Sequence, residues 1–105
     1  MSTSMDDLID RFRIEARERF ERIERLHEGI VSSGDVAEGF SSIREEAHKL
    51  KGGAGILGFA ELKDRAAELE TSVAAQAERR DPAAGETIAA AVAALREALP
   101  AESAK

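Results

Sequence analysis

Residues 36–59 read VAEGFSSIREEAHKLKGGAGILGF, and two opposed readings of that stretch lead to two different folds. Its segment GAGILG, Gly53 to Gly58, satisfies the dinucleotide-binding spacing G-x-G-x-x-G letter for letter. That reading needs a strand before the glycines, a helix after them and a parallel sheet around both. The residues ahead of the glycines do not supply that context. Val36, Phe40, Ile43, Ala47, Leu50 and Ala54 recur by fours and threes, the spacing of one helical face. A phosphate loop of the G-x-x-x-x-G-K type fails as well, because Phe59 stands where lysine is required. The stretch is a helix running into glycines, and the rest of the chain is to be read accordingly.

The helical period continues on both sides. Upstream, Ser4 is placed to cap a helix with Asp7 three residues on, and Leu8, Phe12, Ala16, Phe20, Ile23, His27 and Ile30 line one face as far as Gly34. Asp35, with Glu38 at the third position, opens the helix of the quoted stretch, which is expected to end at Ala54 where Gly55 and Gly58 interrupt the pattern. Downstream, Phe59, Leu62, Ala66, Leu69, Val73 and Ala77 mark a third helix that ends at Arg79. Asp81 as cap and Pro82 at the first helical position start a fourth, with Ile88, Val92, Leu95 and Leu99 inward and Pro100 closing it. The expected spans are 5–32, 36–54, 59–79 and 82–99. Sustained alternation of the strand type is absent. Four amphipathic helices on short links hide their stripes together as an all-α, antiparallel up-down four-helix bundle. The long first helix, about 42 Å at 1.5 Å per residue, should overhang its partners.

Composition narrows what such a bundle does. The 105 residues, 43% of them hydrophobic, support a single domain over 1–105 with one core and one site. A formal charge of −6, from 21 acidic and 15 basic residues, argues against nucleic acid or an anionic membrane as partner. Without cysteine there is neither thiolate chemistry nor a disulfide, and with only two histidines no metal site is expected. No apolar run spans a bilayer and no signal-peptide progression opens the chain, so the cytoplasm is the expected compartment.

The two histidines separate by periodicity. His27 falls on the apolar stripe of the first helix and reads as a core or bundle-edge residue. His48 points about 120° from the centre of its stripe, on the polar flank, with Arg44 one turn below and Lys51 and Gly52 one turn above. An exposed neutral imidazole is a nucleophile toward phosphoryl groups. Lys51 can neutralise the charge of a phosphoryl group carried there, and Lys49 adds to the local positive field. Glycine inside a helix costs roughly 0.5 to 1 kcal/mol relative to alanine. Gly52 and Gly53 therefore need a reason, and the reading is that they clear the surface above His48. Glu70 lies on the flank of the third helix that can lean toward the imidazole, with Glu68 and Glu45 as alternatives. Ile14 is expected as an isolated exposed apolar side chain on the first helix.

The run AHKLKGGAGILGF at 47–59, followed by LKDRAAELE at 62–70, resembles the signature of histidine phosphotransfer (HPt) domains of two-component phosphorelays. It is also similar to the P1 domain of chemotaxis histidine kinases. The resemblance implies that His48 takes a phosphoryl group on Nε2 and exchanges it with receiver-domain aspartates. It puts Lys51 beside the phosphohistidine, Gly52 where the receiver needs room, and Glu70 on the other ring nitrogen. It further implies response-regulator receiver domains and a hybrid or sensor histidine kinase as partners, with Mg²⁺ supplied by the partner and no cofactor held by this chain. A second histidine of many P1 domains falls at Ala67, and the chain ends soon after the fourth helix, so a stand-alone, monomeric HPt protein without a nucleotide site is the expectation. The alternatives are a P1-type phosphoacceptor domain and a helical adaptor without chemistry. A sensor-kinase dimerisation domain fits less well, because its histidine is usually followed by an acidic residue and proline, and here the sequence is HKLKGG.

Overall fold

The computed structural model describes residues 4–33, 36–79 and 84–100. Four helices follow one another: α1 (Met5–Ser33), α2 (Val36–Leu57), α3 (Ala60–Arg79) and α4 (Ala84–Ala98). Each packs against its neighbour in sequence and α4 returns to α1, which gives the expected up-down bundle. The start of α1 is capped as its sequence indicates: the Asp7 amide donates to Ser4 Oγ at 3.1 Å. Asp6 and Asp7 also set negative charge against the positive end of the helix dipole.

The stripes meet in one core. Phe12, Ala16, Phe20 and Ile23 of α1 are buried with Ile43, Ala47, Leu50 and Ala54 of α2. Leu62, Ala66, Leu69 and Val73 of α3 and Ile88, Val92 and Leu95 of α4 complete it. No polar side chain among the described residues is buried with them. The beginning of α1 projects beyond this core, leaving Met5 and Leu8 exposed, and His27 sits half-buried at the bundle edge. Fully buried alanines at 47, 54 and 66 let α2 and α3 come close, and these two helices share the most extensive interface in the bundle. The α1–α4 seam is the thinnest; it is tied by an ion pair of Glu24 with Arg96, whose guanidinium lies 5.5 Å from the Phe20 ring centroid.

The second helix corrects the sequence expectation at its end. It does not stop at Ala54 but runs to Leu57, with Gly55 inside it. The turn comes at Gly58, whose φ of +84° is a backbone conformation that side chains disfavour. The Phe59 amide donates to the Ala54 carbonyl at 2.9 Å, the long-range bond of a Schellman cap. The extra turn is held because Leu57 and Phe59 pack against the core, and Phe59 stacks on Phe12 with ring centroids 5.4 Å apart. Helix α3 accordingly starts at Ala60, one residue later than its stripe suggests. The caps read at Gly34, Asp35, Asp81 and Pro82 lie outside the described residues.

Candidate functional site

The interface of α2 and α3 carries the candidate site. The phase that buries Ala47 and Leu50 turns His48 outward, and its side chain is 67% exposed. On α3 the phase that buries Leu69 leaves Glu70 at the edge of the groove, 16% exposed, facing α2. Glu70 Oε2 stands 2.9 Å from His48 Nδ1, and its other oxygen, Oε1, stands 2.8 Å from Lys51 Nζ. One carboxylate thus holds the imidazole and the ammonium at once. Of the acidic residues weighed from sequence, Glu45 is turned to Lys49 and Glu68 to Arg65, so neither reaches the imidazole.

The charge state of Glu70 fixes the tautomer of His48. The hydrogen-bonded Lys51 ammonium holds the Glu70 carboxyl below the usual carboxylate range, and His48 acts in the same direction, both outweighing partial burial. An ionised carboxylate only accepts hydrogen bonds, so the ring nitrogen beside it, Nδ1, carries the proton. In the neutral ring Nε2 is then left with a free lone pair, on the side open to solvent.

Around the histidine the surface is bare on one side and charged on the other. A Cβ on Gly52 would meet nothing within 4 Å, so the helix surface one turn above His48 is unobstructed at that position. Gly53 has a different reason from the one its sequence position suggested. A Cβ there would come 2.5 Å from Phe12 Cε1, so Gly53 admits the α1 ring into the core and does not clear the histidine. Arg44 is exposed one turn before His48, and Lys49 is exposed with its ammonium 3.3 Å from Glu45. Ile14, 62% exposed, is on α1.

Two residues of this surface escape a periodic reading of α2. Ile56 is 84% exposed in the added turn of α2, two turns beyond His48. Lys63 of α3 lies with its stem over Gly55, Cδ 3.5 Å from the position of a Cβ. A signal for Lys63 was present: it precedes Glu70 by seven residues, two helical turns, and so shares its face. Among the described residues no three histidine, aspartate or glutamate side chains are grouped to hold a metal ion. No described helix is long and apolar enough to cross a membrane.

The Hpt domain model matches residues 7–98, which takes in all four helices. The chain therefore belongs to the Hpt domain family, proteins with a histidine phosphotransfer role in two-component phosphorelays. No curated protein and no solved structure matches it.

Proposed function

We propose that this Hpt domain carries the phosphoryl group on His48 Nε2 and exchanges it with the aspartate of a receiver domain. The observation that carries the reading is the contact of Glu70 with His48 Nδ1, which leaves the exposed Nε2 as the nucleophile. In the forward step the Nε2 lone pair forms a bond to phosphorus, and the phosphorus–oxygen bond to the donor's aspartyl carboxylate breaks. The carboxylate leaves with the electron pair. The ring keeps its Nδ1 proton and becomes cationic, and Glu70 stabilises that charge as it develops. Return of the phosphoryl group to a second carboxylate reverses each change.

Lys51 has a shared duty in this scheme. It begins on Glu70 and is within one helical turn of His48, so it supplies positive charge to the incoming phosphoryl oxygens from a fixed start. Gly52 leaves the approach to Nε2 open. The chain acts as a carrier without a nucleotide site, meeting receiver domains and a hybrid or sensor kinase in the cytoplasm. Any Mg²⁺ of the transfer comes with the partner. His48, Lys51 and Glu70 come from adjacent helices of one chain, which supports a monomer acting alone.

The test is incubation with a receiver domain phosphorylated at its aspartate, or with a kinase and radiolabelled ATP. Wild type should gain acid-labile, base-stable label and His48→Gln none. Equal labelling of the two would remove His48 from the role. Absence of label on wild type, with partner binding that survives His48→Gln, would favour a helical adaptor.

A further inference from the structure

Four cations flank His48, and they differ in whether their charge is spent. Lys49 lies 3.3 Å from Glu45 and Lys51 2.8 Å from Glu70, so each is matched within the chain. Arg44 and Lys63 are exposed and make no ion pair among the described residues. Their positions are ordered along one line. Arg44 precedes His48 by one turn, about 6 Å along the helix and about 40° around it. Gly55, under the stem of Lys63, follows His48 by seven residues, about 10 Å along and only about 20° around. The stem of Lys63 packs over this position, its Cδ and Cε at ordinary contact distance, 3.5 and 3.8 Å, from where a Cβ would stand. The histidine thus sits in a strip bracketed by two unmatched positive charges, on a chain whose net charge is −6.

We infer that Arg44 and Lys63 form an electrostatic clamp for a protein partner whose surface around its phosphoryl-bearing carboxylate is acidic. This rests on the phosphocarrier reading above and adds to it which residues select the partner. Lys63, its stem over a residue two helical turns beyond His48, is placed to act on the partner's rim. At that range, close to the Debye length of about 10 Å at 0.1 M salt, charges steer encounter and are screened as salt rises. A positive strip on a chain of net negative charge also orients the approach of an acidic partner.

The experiment measures transfer from an acetyl-phosphate-loaded receiver domain, the fastest of a panel, to the full chain at about 20 to 300 mM salt, a range spanning the relevant Debye lengths. Arg44→Glu/Lys63→Glu should lower the second-order rate constant about 10- to 100-fold at low salt and flatten or invert its salt dependence. The first-order rate within the complex should stay unchanged. Arg11→Glu/Arg25→Glu, exposed on α1, changes the net charge equally and should shift the rate constant by no more than about threefold. Equal slowing in both double variants, or an unaltered salt slope in the first, overturns the clamp alone. A wild type that takes no label from any receiver overturns the carrier reading together with it. A concentration-dependent dimer in light scattering that Arg44→Glu/Lys63→Glu abolishes would give the strip to a second copy and overturn the proposal.

Discussion

Lys51 Nζ stands 2.8 Å from Glu70 Oε1, so the ammonium of α2 is already matched by an α3 carboxylate before any phosphoryl group arrives. The second oxygen of that carboxylate orders the imidazole. Glu70→Gln keeps the shape but loses the charge and lets either ring tautomer be accepted. Phosphorylation of His48 should slow by roughly tenfold, about one hydrogen bond to a charged group. Two-dimensional ¹⁵N–¹H spectra of the imidazole should show a mixed tautomer population where wild type shows the proton on Nδ1.

The same pair sets an acid limb of stability. The Glu70 carboxyl is depressed in the folded chain below its ordinary value of 4.5, chiefly by Lys51. A depressed carboxyl stabilises the fold fully above the unfolded value, and that contribution disappears as pH falls through the folded one. Denaturant midpoints should therefore decline as pH drops below about 4.5, and Lys51→Ala should flatten this part of the curve. The same variant should slow phosphotransfer by about 1 to 3 kcal/mol at neutral pH, where charge neutralisation is lost.

Gly52 and Gly53 are adjacent yet should respond in opposite directions. Gly52→Ala adds a methyl into open space and should stabilise α2 by about 0.5 to 1 kcal/mol. A long residue such as Gln at 52 should keep that gain while slowing transfer, because it obstructs the approach to Nε2. Gly53→Ala forces the buried Phe12 ring off its stack with Phe59. It should destabilise the bundle by about 1 to 3 kcal/mol despite its better helix propensity. Thermal melts of the two alanine variants decide the matter.

Gly58→Ala should cost about 1 to 2 kcal/mol, the penalty of a side chain in the left-handed region, although no atom blocks the space. Chemical unfolding of this variant tests whether the turn, and not a contact, requires glycine there.

What the sequence disclosed follows from what periodicity encodes. The repeat from Val36 to Ala54 reports the phase of one helix about its own axis, and that was enough to turn His48 outward and Ala47 inward. On α3 the phase allows Glu70 to lean toward α2 but leaves Glu68 and Glu45 as alternatives, and the family resemblance is what singles Glu70 out. Periodicity carries no information on which atom of another helix arrives opposite a given position. Sequence position alone therefore ties Gly53 to the histidine, whereas the arrival of Phe12 depends on the packing of α1 against α2. The end of α2 lies beyond the periodic pattern for a related reason: Gly55 weakens a helix, but packing of Leu57 against the core and the Gly58 turn outweigh it, and both depend on tertiary context. Lys63 stands out only through its placement over Gly55, a residue of a different helix.

The Gly58 turn makes α2 and α3 behave as the two arms of a caliper. His48 is ten residues before Gly58 and Glu70 twelve after, and the jaws close on each other only at those counts. One residue inserted or removed in either arm rotates its jaw by about 100° and moves it about 1.5 Å, leaving both helices intact and the imidazole without its carboxylate. Between these two residues, chain length is itself under the same constraint as the side chains, whereas a change in length beyond the opposite ends of the arms leaves the gauge undisturbed.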